Sequence, residues 1–481
     1  MPHGGSAPRR VPRSTRAGSV AAMAAERFVV VGGDAAGMSA ASQAKRLRGD
    51  GLEVVAFERS HHTSYSACGI PYWVGGEVAG PDALVARTPE EHRANGIDLR
   101  MRTCVEEVDL DRGEVRARDL ESGSSYRLGF DSLLLATGAR PFRPGLAGVE
   151  AEGVHGVQTL DDGAALLATL ERQRPRTAVV VGGGYIGVEM AEAMTRRGIT
   201  TTIVTKSPEI MTTLDPDMGR IVHEAVECEG IEVEVDADVK GFDVDGSGHV
   251  RGVMTTTATY DADVVVLGIG VRPETALAEA AGIPLGPSGG VRTDLRMRVC
   301  GHDDVYAAGD CVETFDRVSR SFVHVPLGTH ANKQGRAVGT NVGGGYATFP
   351  GVVRTAVSKI CAVEIARTGL LEAEARSTGF EYVTATVGST TKAGYYPGAA
   401  PVQVKLLGER RTGRLLGAQI VGETDAAKRI DACAVALWNG MTADEMTSLD
   451  LAYAPPFSPV WDPVLIAARK LAEAVEADRG R

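Results

Sequence analysis

The chain has 481 residues, 43% of them hydrophobic, and its 62 acidic against 51 basic side chains leave a net charge of -11. That length buries a large core and implies two to four domains, which excludes a single small binding module. The acidic balance repels nucleic acid and anionic membranes, and no apolar run approaches the roughly 18 residues of a membrane-spanning helix, so neither partner is expected.

Residues 1–22 are rich in Arg, Ser, Gly and Pro and lack the apolar stretch of a secretory signal, which predicts a disordered tail, with Met23 as a candidate start. Seven cysteines (Cys68, Cys104, Cys228, Cys300, Cys311, Cys361, Cys433) are scattered without a CxxC or CxxxxC pair. That pattern predicts neither a disulfide scaffold nor a metal site, and it suits a reducing cytoplasm.

Two stretches then repeat one design of apolar strand, glycine-rich turn, alanine-rich helix and second strand. The first runs RFVVVGGDAAGMSAASQAKRLR into LEVVAFER, the second TAVVVGGGYIGVEMAEAMTRRG into TTTIVTKS. Each reads as a βαβ unit of a parallel sheet, and the repeat implies two nucleotide sites.

The second turn, with Gly182, Gly184, Tyr185, Ile186 and Gly187, matches GxGxxG fully: its glycines permit a tight turn, close approach to a diphosphate, and close helix packing. The first turn holds Gly32, Gly33, Ala36 and Gly37, but Asp34 stands in the place of the middle glycine. Glu58, followed by Arg59, ends the next strand, where a carboxylate accepts from ribose hydroxyls. At the matching place of the second unit stand Thr205 and Lys206, a cation where the acid would be, which favours the 2'-phosphate of NADPH over NADH. ATGARP (Thr137, Gly138), VVVLGIGV (Gly270) and YAAGDC (Gly309, Asp310) place glycines and an aspartate after apolar strands, where ligands of such sheets lie. Past the Gly343–Gly345 run, EYVTATVGST, PVQVKLLG and RLLGAQIVG alternate as an antiparallel sheet does, with helices expected over 425–439 and 464–477.

A dinucleotide unit interrupted by another, with ATGxxP before it and AxGD after it, resembles the FAD/NAD(P)H disulfide reductase superfamily from Phe28 onward. The resemblance implies an α/β fold with two nested Rossmann-like domains and a C-terminal α+β dimerisation domain: FAD over 23–148 and 273–345, NAD(P)H over 149–272, and dimerisation over 346–481. It assigns FAD to the first unit with Asp310, and adds Pro326 and Thr329 as cofactor contacts.

In HHTSYSACGIPYWVGGEV, Cys68 follows Glu58 closely in a polar, glycine-rich loop, and the resemblance places it beside the flavin. The paired cysteine of classical members is missing, Trp73 standing in its place, and all ten histidines lie at or before His330, so no C-terminal histidine serves as acid and base. SYSACGIPY, GYYPGA, KRID and DLAYAPPF together resemble coenzyme A-disulfide reductase, the single-cysteine branch. That likeness implies that Tyr453 and Tyr395 or Tyr396 reach Cys68 from the second subunit of a homodimer. It also implies substrate contacts from Gln43, Arg46, Ser64, Lys428 and Arg429, although Ala67 stands where the family often has Asn. The expected activity is electron transfer from NADPH through FAD and Cys68 to coenzyme A disulfide or another small disulfide. Rivals are an NADH oxidase or peroxidase, a polysulfide reductase, and a redox-sensing flavoprotein. The chain ends soon after its last helical pattern, so an appended sulfur-transfer domain is not expected.

Overall fold

The computed structural model describes residues 25–479, so the expected tail and Met23 lie outside the described residues. Both glycine-turn units form as parallel βαβ units. In the first, Glu26–Val31 pairs with Leu52–Phe57 across the helix Ala35–Arg48, in a five-stranded parallel sheet ordered 305–307, 132–135, 26–31, 52–57, 98–100. Phe28 to Val30 are fully buried, as a strand covered on both faces requires. In the second, Thr177–Val181 pairs with Thr200–Val204 across Tyr185–Arg196, in a sheet ordered 232–234, 200–204, 177–181, 264–267, 154–156.

Each unit also carries a three-stranded antiparallel sheet that period-two patterning did not single out, 103–109 with 114–119 and 125–129 in one, 239–244 with 250–255 and 259–261 in the other. The two peptides that pass between the domains, Ala139–Pro141 and Val271–Pro273, pair with each other as a short antiparallel ribbon.

The helix Gly328–Val342 packs against Ala35–Arg48 on small residues. A Cβ at Gly335 would lie 2.1 Å from the Ala36 carbonyl oxygen and one at Gly339 2.3 Å from that of Ala40, so the two backbones touch. This contact carries the segment with Pro326 and Thr329 up against the first glycine turn.

The third region is a five-stranded antiparallel sheet ordered 356–360, 363–369, 415–422, 401–409, 382–390, and the three segments expected to alternate are three of its strands. Its helices include Ile430–Asn439 and Pro463–Arg479, with shorter ones at Glu372–Ser377 and Ala443–Thr447 that periodicity over so few residues could not reveal. The helix expected from residue 425 starts at Ile430, after a turn of 3-10 helix, because Asp425 takes φ +73° and cannot be a helical residue.

This region is joined to the second unit by an ion cluster that is buried at Lys405 and Asp215 and open to water at Asp217. Lys405 Nζ lies 3.1 Å from Asp215, 2.7 Å from Asp217 and 2.6 Å from Glu372. Gln419 donates to the Asp215 carboxylate at 2.6 Å and accepts from the Asp215 N–H at 2.7 Å. The three carboxylates have the spacing of a cation site, and the lysine ammonium is the cation that sits among them.

Candidate active site

The strands' carboxyl ends converge on one continuous cavity of about 1800 Å³ that runs from the first glycine turn to the second. Its walls include Gly32, Ala36, Glu58, Arg59, Cys68, Thr137, Gly138, Gly309, Asp310, Pro326 and Thr329 on the first unit's side. On the second unit's side they include Gly182, Gly184, Tyr185, Ile186, Thr205, Lys206 and Gly270.

The turns are cradles that only glycine fits. Gly32 takes φ +110° with its missing Cβ 2.0 Å from the Ala136 carbonyl oxygen, and Gly182 takes φ +105° with its missing Cβ 2.5 Å from that of Gly268. Gly37 and Gly187 do not line the cavity. A Cβ on either would lie 1.9 Å from the carbonyl oxygen of Gly32 or Gly182, so they serve the helix packing that aims the N–H groups. Gly184 has open space where its Cβ would be, free for a ligand. Gly33 also stays behind the wall: its N–H donates to Glu58 Oε2 at 2.8 Å, while Ser60 N–H donates to Oε1 at 2.7 Å, which orients the Glu58 carboxylate.

Cys68 lies in the 3-10 turn Ala67–Gly69 ahead of the helix Ile70–Val74, exposed to the cavity. Burial within the cleft pushes its thiol up, and the Glu189 and Asp310 carboxyls add to the shift. Asp310 is itself raised by burial to about 6. Glu189, one helical turn after Tyr185, is raised by burial and held by Ser358 Oγ, which donates at 2.5 Å from the third region's strand Ala356–Ile360.

A scan of the chain matches a family described as pyridine nucleotide-disulphide oxidoreductase over residues 26–335, and that family's dimerisation domain over 355–463. The chain belongs to this family.

Among relatives of this pyridine nucleotide-disulphide oxidoreductase, the NAD(P)H coenzyme A polysulfide/persulfide reductase of Pyrococcus horikoshii is 37% identical, over 93% of this chain and 98% of its own. An NADH oxidase of Methanocaldococcus jannaschii is 35% identical over 92% and 98%, and a coenzyme A disulfide reductase of Staphylococcus haemolyticus 26% over 90% and 96%. The crystal structure of reduced Bacillus anthracis CoADR-RHD superposes with a TM-score of 0.91 at 30% identity, covering 95% of this chain and 81% of that one. The chain is therefore an oxidoreductase that uses FAD with NAD(P)H, and the two glycine cradles, the oriented Glu58 and the open space at Gly184 fit two dinucleotides. Among the described residues no helix is long and apolar enough to cross a membrane.

Not every expected residue meets Cys68 in this oxidoreductase. Tyr395, Tyr396 and Tyr453 are exposed on the third region, outside the cavity wall, with Tyr453 the hydrogen-bond partner of Tyr395. Gln43 donates to Thr340 at 3.2 Å and accepts from Arg46 at 2.6 Å, and Ser64 bonds His92 at 2.9 Å; all three lie outside the wall. Lys428 is exposed and paired with Asp431. Arg429, also expected as a substrate contact, is held by its own loops. Its guanidinium donates to the carbonyls of Asp425, Thr391 (2.6 Å) and Phe457 (2.7 Å) and pairs with Asp462, pinning the loops that carry the tyrosines.

Glu189, Ser358, Lys240, Arg354 and Arg367 were missed by motif reading although all line the cavity. Of these only Glu189 had a signal in the sequence, as the acid on the same face as Tyr185; the others arrive from distant strands and loops. The electrostatics give a test. Replacing Glu189→Gln is expected to shift alkylation of Cys68 to lower pH, because it removes a carboxylate that disfavours the thiolate. The check is the pH profile of iodoacetamide labelling, and an unchanged profile would refute the coupling.

Proposed function

We propose that the first glycine turn with Glu58, Thr137, Gly138, Asp310, Pro326 and Thr329 holds FAD, that the second holds NADPH, and that Cys68 hands electrons to coenzyme A disulfide or a related small disulfide. The observation that carries this reading is Cys68, which opens from a 3-10 turn onto the cavity that joins the two cradles and is exposed there, whereas Cys104, the other cysteine on that wall, is partly buried in a strand. FAD, when bound, supplies the two-electron relay between nicotinamide and sulfur.

The Cys68 thiolate attacks one sulfur of the disulfide, its S–S bond breaks, and one thiolate leaves while Cys68 forms a mixed disulfide. Two electrons from NADPH then break that bond, releasing the second thiolate and restoring Cys68. The two leaving thiolates need two protons, one from NADPH oxidation in net terms and one from solvent. The tyrosines are the candidates to deliver them. Tyr395 is 78% exposed and Phe457 73%, with Tyr453, Val460 and Trp461 also exposed, too much apolar surface for a face left in water. A second copy of the chain covering this face would bring Tyr453 and Tyr395 or Tyr396 to the partner's thiol, consistent with the dimerisation-domain match.

For the nicotinamide nucleotide, Lys206 and Lys240 both line the cavity next to the buried Thr205, and both act on the Asp238 carboxylate. Lys240 is paired with Asp238, and Lys206 beside that pair is the cation that supports NADPH. Lys206→Ala is expected to raise the KM for NADPH about tenfold and leave that for NADH within about twofold. Equal losses for both would argue against the 2'-phosphate assignment.

A second reading follows from the 37% identical relative named for polysulfide and persulfide, in which Cys68 receives sulfane sulfur in place of a disulfide half. Anaerobic NADPH oxidation with coenzyme A disulfide, polysulfide, oxygen and peroxide as parallel acceptors separates the readings. Fastest turnover with the disulfide supports the proposal, fastest turnover with polysulfide moves the substrate to the second reading, and turnover with oxygen or peroxide alone rejects both.

A further inference from the structure

Asp34 stands where the GxGxxG pattern has its middle glycine, and nothing derived above gives it a task. At the same point of the second turn, Gly184 leaves open space; at the first turn a carboxyl occupies that place on the cavity wall. Asp34 is the residue before the helix Ala35–Arg48 yet makes no side-chain capping bond. Its Oδ1 instead accepts from the Tyr65 N–H at 3.2 Å, tying the glycine turn to the segment that carries Cys68.

The charged groups that act on it most strongly are acids, Glu58 from the end of the second strand and Asp310 from the turn after Val305–Ala307, and the Tyr65 phenol of the Cys68 segment lies near it. Burial raises the Asp34 carboxyl to about 7, the N–H groups of Tyr65 and Ala35 oppose that shift, and Glu58 and Asp310 reinforce it. A diphosphate received at this helix N-terminus adds a further anion to a place where the strongest charged neighbours are already acids.

We propose that Asp34 makes FAD binding proton-linked, its carboxyl taking up one proton as the diphosphate enters beside it while keeping the bond from Tyr65. As a neutral acid it removes the clash of two anions, and its carbonyl oxygen still accepts from Tyr65. The sign follows from linkage: the FAD complex binds more protons than the free chain, so affinity is constant below about pH 7 and weakens above it, by up to about tenfold per pH unit. The inference rests on FAD occupying the first turn. Gly37→Ala separates the two: if that variant keeps full flavin content, it is the placement of FAD that has failed.

The experiment dilutes the yellow holoenzyme and follows the fluorescence of released FAD to equilibrium between pH 6 and 9, for the wild type, Asp34→Asn and Asp34→Gly. The wild-type dissociation constant should climb about tenfold per unit above pH 7, and both variants should stay within about twofold across the range. Mixing FAD with flavin-stripped wild type at pH 8 in weak buffer should take up close to one proton per site, and neither variant should. A flat wild-type profile overturns the proposal, and so does the same slope in either variant, which would move the linked proton to another group.

Discussion

Cys68→Ser is expected to lower NADPH-driven disulfide reduction by at least about 10³-fold while NADPH still bleaches the bound flavin at a rate within about twofold of wild type. A hydroxyl in the same 3-10 turn keeps the shape of the cavity, but it cannot form the mixed disulfide on which the second half of the cycle depends. Cys228→Ser, at the exposed end of the helix Pro216–Cys228, is the control for loss of a thiol as such. Anaerobic stopped-flow absorbance separates the half-reactions. If Cys68→Ser retained disulfide turnover, electrons would be passing directly from flavin to substrate and the sulfur relay would be wrong. If flavin bleaching were lost as well, Cys68 would be holding the cofactor site together.

Lys405→Ala is expected to destabilise the fold by about 2–3 kcal/mol, below the ~3–5 kcal/mol of a fully buried pair because only Asp215 of its three carboxylates is shut off from water. The lysine side chain is 4% exposed and Asp215 3%, while Asp217 (52%) and Glu372 (33%) reach the same ammonium from the water side, so its removal leaves the buried Asp215 without its counter-charge where the third region meets the second unit. Burial pulls the Lys405 ammonium down, but Asp217, Glu372 and Asp215 outweigh it and hold it above the ordinary lysine range. A folded-state shift upward contributes stability that is fully present below the unfolded value of about 10.4 and is lost as pH rises through the folded one. The gap in denaturation midpoint between wild type and variant should therefore stay constant from pH 7 to 9 and narrow above about pH 10.5. Chemical denaturation of the holoenzyme at each pH measures it, and a loss below about 1 kcal/mol would mean that water reaches the cluster and screens it.

Legibility differed between the two kinds of residue at the site. Gly32, Gly37, Gly182 and Gly187 could be named in advance because a turn that brings backbone within contact of backbone admits no Cβ, and that requirement is written into a six-residue pattern. Cys68 could be named because its loop after Glu58 is too polar and glycine-rich for a core and the family resemblance places that segment beside the flavin. Ser358, Arg354 and Arg367 could not, since each reaches the cavity from the third region, where Ser358 and Arg367 meet residues 169 and 154 positions earlier in the chain. Arg429 was named through the family likeness of KRID, and the four partners from three loops that hold its guanidinium could not be read from that segment.

What the chain determines locally is the set of turns, apolar strands and the isolated thiol, because each depends on steric limits or burial over a few neighbouring residues. What only the tertiary structure decided is the electrostatic setting. Glu189 and Asp310 disfavour the Cys68 thiolate, Asp34 lies among other acids beside Tyr65, and Lys405 serves three carboxylates. Charges separated by up to hundreds of residues act on one another only once folding has excluded water from between them, and no local pattern records that exclusion.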